Sequence, residues 1–393
     1  MQIQNQQNIK MNNLKMVLEI IKEYHNTDIS RADIAKMTHM SATSISRIVD
    51  TLISCGLVKE DAAINSDKVG RKGTRLKATA DGLITAGASI DSDNVSLCVM
   101  NFSDEIIASK TVLLENRHYD PDEIVEMIDS MFTLLCAEIP YTRQQIRAIG
   151  ISCIGNVDYR KGDIYFAPQF GWSHVDFGKK AGDVLKKPIY MENDLKAAAI
   201  SVVRQEKGYK QADITYLSIG MGVGSAVILK GKIARGSNNA FGEVGHVIVQ
   251  PGGRKCDCGQ RGCVQTTLTR NSLIEECRDA GYDITQLEQI FELYRAGAEW
   301  MVEFINKTAS DLAMLIRNLV YMYNTNYILV GGALIVDFPE LLDLARDKLA
   351  DLIHSNLYSD LKIIQIKTRN NSMTGAAFIA QRNSIDEIIK NAG

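Results

Sequence analysis

Apolar residues recur at helical spacing near the start of the chain. Leu14, Val17, Leu18 and Ile21 fall at i, i+3, i+4 and i+7, which predicts an amphipathic helix. Ser30-Arg31-Ala32-Asp33 sets a hydroxyl and a carboxylate three residues apart, the pattern of a capping box. It predicts a second helix with Ile34, Ala35 and Met37 inward. Thr38-His39-Met40 reads as a short turn. Ser41 can cap a third helix whose apolar positions are Ala42, Ile45, Ile48, Val49, Leu52 and Ile53, and Gly56 ends it. Two short helices separated by such a turn form a helix-turn-helix. Leu57-Val58 then begins a strand.

The third helix exposes Thr43, Ser44 and Arg47 near its start, groups that reach base edges in a major groove. Lys68 to Lys77 holds five basic residues and no acidic one, and reads as the wing of a winged helix. Its Gly-Arg-Lys-Gly tip can lay Arg71 and Lys72 into a minor groove or onto phosphates. The blander reading is a three-helix packing module with solvated charges.

From about Leu83 the pattern changes. Apolar strands at Thr85–Ile90, Val95–Met100, Ile146–Ile151 and Thr215–Ile219 alternate with helical stretches such as Pro121–Cys136. That alternation predicts α/β layering.

At 393 residues two or three domains are expected, and 46% apolar content supports full cores. Net charge is −3, but unevenly spread: residues 1–80 carry 12 Lys and Arg against 8 Asp and Glu, the remainder 32 against 39. A basic head on an acidic body suggests that only the head meets a polyanion. No apolar run reaches the ~20 residues of a membrane span, so membrane insertion is not expected. The polar N-terminus lacks a signal peptide's apolar core. Eight Cys, three of them in a metal pattern, read as reduced thiols in a cytoplasm.

That metal pattern is Gly242-Glu243-Val244-Gly245-His246 followed by Cys256-Asp257-Cys258-Gly259-Gln260-Arg261-Gly262-Cys263. Three thiolates and one imidazole satisfy tetrahedral Zn2+ with no position left for a catalytic water, so the expected metal is structural. Gly259 and Gly262 suit the tight turn this spacing demands. The alternatives are buried free thiols beside a core histidine, or a redox switch.

Glu-x-Gly-His followed by Cys-x-Cys-Gly-x-x-Gly-Cys resembles the signature of the ROK family of bacterial sugar kinases, repressors and uncharacterised open reading frames. The resemblance runs from about Leu83 to about Arg382. It implies a two-lobed, actin-like sugar-kinase fold built on ribonuclease-H-like sheets, with ligand in the cleft. Residues 1–80 would be a winged helix-turn-helix. Residues 81–195 would form the first lobe, joined by a C-terminal helix at 375–393, and residues 196–374 the second. ROK repressors carry such a winged helix and ROK kinases lack it.

By the same resemblance, Asn193 and Asp194 bind sugar, and in the kinases the Asp is also the general base. On residue chemistry alone, Glu192-Asn193-Asp194 equally suits an N-cap for the next helix. Glu243 would bind sugar hydroxyls. His246 would give one ring nitrogen to zinc and the other to sugar. Asn156 lies in a Gly-x-Val-Asp turn set beside the sugar, and Trp172 either stacks on a pyranose or fills core. The family motif normally ends in a sugar-contacting Glu where this chain has Gln265, which makes a substituted or phosphorylated sugar, or a weakened site, more plausible.

A kinase also needs phosphate loops. The family's Asp-x-Gly-Gly-Thr is here Asp91-Ser92-Asp93-Asn94-Val95, without the glycines, and Asp93 adds a carboxylate where a triphosphate would lie. Gly220-Met221-Gly222-Val223-Gly224 keeps its glycines but has Met221 in place of Thr. Gly331-Gly332-Ala333 resembles a nucleotide-adjacent turn or plain strand–helix packing. Asp194 is therefore read as a surviving kinase base position, with no catalytic residue.

The reading is a sugar-responsive DNA-binding transcriptional repressor of carbohydrate uptake or catabolism genes, resembling the xylose-, glucose- and N-acetylglucosamine-responsive regulators. It implies double-stranded operator DNA, a sugar ligand and a homodimer or tetramer. The alternatives are a bifunctional ATP-dependent sugar kinase and a regulator controlled by a sugar-transport protein.

Overall fold

The computed structural model describes residues 2–24, 27, 29–63, 74–209, 211–368 and 371–392. It opens with α1 (Gln2–Glu23), α2 (Arg31–Thr38) and α3 (Ala42–Ser54), then the antiparallel pair β1 (Val58–Ala63) and β2 (Thr74–Ala78). The capping box forms: Ser30 N–H donates to Asp33 at 3.0 Å, and Asp33 N–H returns to Ser30 Oγ at 3.3 Å. His39 adopts left-handed φ at the end of α2, and Ser41 caps α3. Ile34, Ile45, Ile48, Val49 and Leu52 are buried with Leu14, Val17, Leu18 and Ile21. Met37 departs from expectation and is 45% exposed. Helix α2 is only Arg31–Thr38 and buries Ile34 alone, so Met37, one turn on and next to its C-terminal end, is left without full cover. Ala42 is likewise exposed.

The body continues with β3 (Ile84–Ile90), β4 (Asn94–Met100), β5 (Ile106–Leu113), α4 (Pro121–Glu138), β6 (Ile146–Cys153), β7 (Asn156–Asp158), β8 (Asp163–Ala167), β9 (Trp172–Val175), α5 (Phe177–Leu185) and β10 (Ile189–Asn193). Helix α6 (Asp194–Gln205) follows directly. Then come β11 (Ile214–Ile219), β12 (Val223–Leu229), β13 (Lys232–Ile233), α7 (Gln265–Leu268), α8 (Arg270–Asp279), α9 (Leu287–Arg295), α10 (Glu299–Tyr323), β14 (Tyr327–Gly331), α11 (Ala333–Asp337), α12 (Glu340–Leu352), α13 (Ser355–Tyr358), β15 (Lys362–Gln365) and α14 (Asn371–Asn391).

Two five-stranded sheets repeat one topology. Their orders are β10-β6-β3-β4-β5 and β15-β14-β11-β12-β13. In each, three successive antiparallel strands are extended by two parallel ones. Strands β3 and β11 are central, buried on both faces and apolar for that reason. Each sheet has its own core, around Ile84, Ile149 and Phe132 in one and Leu217, Leu312 and Phe338 in the other.

Helices α6 and α14 connect the sheets to each other and to the head. A Cβ at Gly375 would meet Ala197 O at 1.8 Å, so only glycine lets these helices cross so closely. Ile385 and Ile389 of α14 join the core of the head. A cavity of about 440 Å³ at the head–body junction is lined by Cys55, Leu83, Arg147 and Ile388. Among the described residues no helix is long and apolar enough to cross a membrane.

Candidate metal centre, ligand cleft and nucleic-acid face

His246 and the three cysteines converge. One ligand atom from each of His246, Cys256, Cys258 and Cys263 lies within 4.8 Å of all the others. Cys258 Sγ is 3.6 Å from Cys263 Sγ, and Cys256 Sγ is 3.7 Å from His246 Nδ1. Tetrahedral zinc with thiolates at about 2.3 Å separates its sulfurs by roughly 3.8 Å, so the spacing fits such an ion. The turn closes by Cys256 N–H to Gln260 O at 2.8 Å and Gly259 N–H to Cys256 O at 2.9 Å. Gly262 has φ +79°, and a Cβ there would meet Gln250 O at 1.7 Å. Cys256 and Cys263 are buried; Cys258 and His246 stay exposed. Nδ1 of His246 faces the thiols, which leaves Nε2 as the nitrogen available to another partner.

The Glu243–His246 turn rests against β12. Ser225 N–H and Oγ both donate to Gly242 O at 3.0 Å. A Cβ on Gly245 would meet Val223 O at 2.2 Å and Gln265 Oε1 at 3.1 Å, so Gln265 at the start of α7 lies beside this turn.

Asp194 opens α6 across from it. Burial, then the nearby charges of Asp91 and Glu243, push its carboxyl up to about 7. Asp91, Asp194 and Glu243 therefore share one electrostatic neighbourhood although they come from β3–β4, α6 and the β13–α7 segment. Burial, with Asp93 adding to it, also raises Asp91. Asn193 is the N-cap of α6: Lys196 N–H donates to its Oδ1 at 3.2 Å. Its amide donates to Gly155 O at 3.0 Å and Asp194 Oδ1 at 2.8 Å, so both of its N–H groups are engaged. That contact draws Asn156 to the same end of the sheet, and Asn156 Oδ1 is a buried acceptor with no donor among the described residues.

Trp172 is core. It is 3% exposed, stacks on Phe170 and Phe177 at centroid distances of 4.5 and 5.6 Å, and donates Nε1–H to Tyr119 O at 2.8 Å. Gly332 is likewise a packing residue, with a Cβ there meeting Ile219 O at 2.3 Å.

Two features were not assigned from the sequence: what holds Glu192, and the burial of Lys196. Glu192, 2% exposed, is held by Arg235 at 2.6 and 3.0 Å and by Asn239 at 3.3 Å. Arg235 itself lies 3.7 Å above the ring of Tyr159. Lys196 is buried in the first turn of α6. Arg235 gave no sequence signal; Lys196, alone charged in an alanine run, did.

In the head, Thr43 and Arg47 are exposed on α3, and Arg47 makes no ion pair among the described residues. Ser44 is partly committed to Ser41, with the two hydroxyls 2.8 Å apart. Arg31 donates to Ser46 O, Asp50 and Glu60 at 3.2, 2.7 and 2.9 Å, tying α2 to α3 and β1. Arg71 and Lys72 lie outside the described residues.

Comparison with known proteins adds a family and an extent. The ROK family model matches residues 85–383, and a CENP-B N-terminal DNA-binding domain model matches residues 14–51. The chain is 24% identical over 337 residues to a xylose repressor of Caldicellulosiruptor bescii, covering 82% of this chain and 84% of that protein. A crystal structure of a ROK family transcriptional regulator, a homologue of the E. coli Mlc protein, superposes with a TM-score of 0.81 at 20% identity, covering 98% of this chain and 97% of that one. A ROK family glucokinase from Streptomyces griseus, in complex with glucose and AMPPNP, gives a TM-score of 0.65 at 23% identity; it covers 76% of this chain and 99% of its own.

Proposed function

Because this chain belongs to the ROK family, we propose that it is a sugar-responsive DNA-binding transcriptional regulator, a repressor of carbohydrate genes. The observation that carries this reading is one of extent. A regulator's structure matches 98% of the chain, head included, while a complete glucokinase matches 76%. The DNA-binding-domain match at residues 14–51 falls within that head.

On this reading residues 1–80 are a winged helix-turn-helix. Helix α3 offers Thr43, Ser44 and Arg47 to a major groove, and Arg71 and Lys72 belong to the wing. Residues 81–195 with 375–393 form one lobe and residues 196–374 the other. The sugar lies between them, against Asn156, Asn193, Asp194, Glu243, His246 and Gln265. Hydroxyls suit such a floor, because carboxylates accept what a hydroxyl donates. His246, Cys256, Cys258 and Cys263 hold a structural zinc, which stiffens the turn carrying Glu243.

Ligand and operator communicate along α6. Its first residue is Asp194, at the cleft. Near its other end Arg204 bonds Asp104 and Gln381, which in turn bond Lys22 of α1 in the head. A shift of α6 on ligand closure therefore pulls on the head directly. Paired heads in a dimer or tetramer would read a pseudo-palindromic operator, and a sugar-transport protein is a further candidate partner.

One observation favours a sugar kinase instead: a carboxyl raised to about 7 is poised as a general base. Against it stands the β3–β4 turn. It is closed by Asp91 N–H to Asn94 O at 2.9 Å and carries Asp91 and Asp93, with no glycine to cradle phosphate.

Selection of genomic DNA fragments by the purified chain, with and without a sugar panel, tests the proposal. A sharp set of sites released by one sugar is expected. No enrichment, together with sugar phosphate formed from ATP, would replace the regulator with the kinase.

A further inference from the structure

Lys196 stands in an unfavourable place. It is the third residue of α6, at the end where the helix dipole is positive, and it is only 2% exposed. A buried ammonium is normally held by a carboxylate. Here, among the described residues, the ammonium makes no ion pair and no hydrogen bond. Nor is it one of the fully enclosed atoms lacking a partner, so the sliver of exposure it keeps includes the nitrogen.

Its neighbours mark the cleft. Burial lowers its proton affinity, the fields of Glu192, Glu243 and Asp194 raise it, and Arg235 lowers it again. Glu192 is already committed to Arg235, Asn239 and the Asn193 backbone. Among the described residues the floor thus holds a donor without an acceptor, Lys196, and an acceptor without a donor, Asn156 Oδ1. Asp194 and Glu243 stand beside them and, when ionised, can only accept.

We propose that Lys196 is a ligand-contacting, specificity-determining residue, whose ammonium donates to a hydroxyl of a neutral sugar that itself donates to Asp194 or Glu243. The inference rests on the sugar-cleft reading above. A hydroxyl can do both, accepting from the ammonium and donating to the carboxylate. The charge count weighs against the phosphorylated alternative wherever the carboxyls are ionised. Asp91, Asp194 and Glu243 outnumber the one unpaired cation, since Glu192 and Arg235 cancel, and a phosphate or carboxylate ligand would add to the excess.

The test uses the full chain and two variants, Lys196→Met and Lys196→Gln. Thermal unfolding is measured without ligand. Binding is measured by calorimetry with glucose, xylose, N-acetylglucosamine, glucose 6-phosphate and glucuronate. We expect Lys196→Met to melt higher than wild type by roughly 2 °C or more, because an unpaired buried charge serves function at the expense of stability. It should bind the neutral sugar about tenfold more weakly or worse, with part of the loss restored in Lys196→Gln. Unchanged sugar affinity in Lys196→Met, or tighter wild-type binding of glucose 6-phosphate or glucuronate than of any neutral sugar, overturns the proposal. If no probe binds the wild type, melting decides: a lower melting point in Lys196→Met would mean the lysine only balances structural carboxylates. A chain that binds sugar through Lys196 but retains no DNA would sink the regulator reading and leave this one standing.

Discussion

Lys22 of α1 and Arg204 of α6 donate to the same two acceptors. Lys22 Nζ reaches Asp104 Oδ1 at 2.7 Å and Gln381 Oε1 at 2.9 Å; Arg204 reaches them at 3.4 and 2.8 Å. Gln381 is fully buried and donates onward to Asn101 O at 3.1 Å. Burial, then Arg204, push the Lys22 ammonium down to about 8, against the pull of Asp104. Two cations sharing one carboxylate make that carboxylate the keystone between head and body.

Replacing Asp104 with Asn keeps the shape and removes the carboxylate that Lys22 and Arg204 share. The loss is expected to be about 1–3 kcal/mol, the usual consequence of leaving buried donors poorly matched. The sharper expectation concerns coupling. The variant should bind sugar like the wild type and still bind operator, but sugar should release operator less completely. Operator titrations with and without sugar measure this, and full sugar response in the variant would show that the head is not steered through α6.

Asp194 predicts a pH dependence with a definite sign. Its folded value of about 7 lies above the ordinary 3.8, so the folded state holds the proton longer than the unfolded chain. Below about pH 4 both states are protonated and nothing is lost. Between about 4 and 7 stability falls as pH rises, and above 7 the whole penalty is present. Asp194→Asn should therefore melt close to wild type at pH 4 and higher than wild type at pH 8. The gain at pH 8 should be at least about 1 kcal/mol, or roughly 2 °C. A gain that does not grow between those pH values contradicts the clustering of Asp91, Asp194 and Glu243.

Much of this was readable in the chain because it is local. The capping box at Ser30 and Asp33, the spacing of Ile45, Val49 and Leu52, and the convergence of His246 with three cysteines all lie within short stretches. The Lys22–Gln381 contact joins residues 359 positions apart, and no periodicity announces it. Trp172 and Met37 show the other limit. Both are apolar, and only the packed chain decides that Trp172 is buried against Phe170 and Phe177 while Met37 stays 45% exposed. The N-cap and ligand readings of Asn193 were inseparable by sequence for a physical reason: a strand end that opens a helix needs the same short amide that a sugar would use.

The cysteine cluster predicts about one zinc per chain in metal analysis, removable by a strong chelator only with loss of stability. Cys263→Ser replaces a buried ligand and Cys258→Ser an exposed one. Both should lose the metal, because a three-ligand remnant admits water and binds far less tightly. Both should also weaken sugar binding, since Glu243 rides on the turn that His246 anchors. Intact chain free of zinc yet fully stable would show that the thiols are held by packing alone.

Arg47 and Arg31 separate reading from building on the same head. Arg47 is exposed on α3 and makes no ion pair among the described residues, so Arg47→Ala should leave the fold untouched. It should weaken operator binding; if its contact is to phosphate, the slope of log affinity against log salt should fall by about 1, and if to a base, specificity should relax at one position. Arg31 instead bridges Asp50 and Glu60 at 2.7 and 2.9 Å and holds Ser46 O, with its side chain 27% exposed. Arg31→Ala should lower the melting point of the head and weaken binding to all sequences alike, because it loosens the angle between α2 and α3. Measuring both variants on operator and random DNA at two salt concentrations distinguishes the roles. Equal behaviour of the two would mean that α3 is not the reading helix.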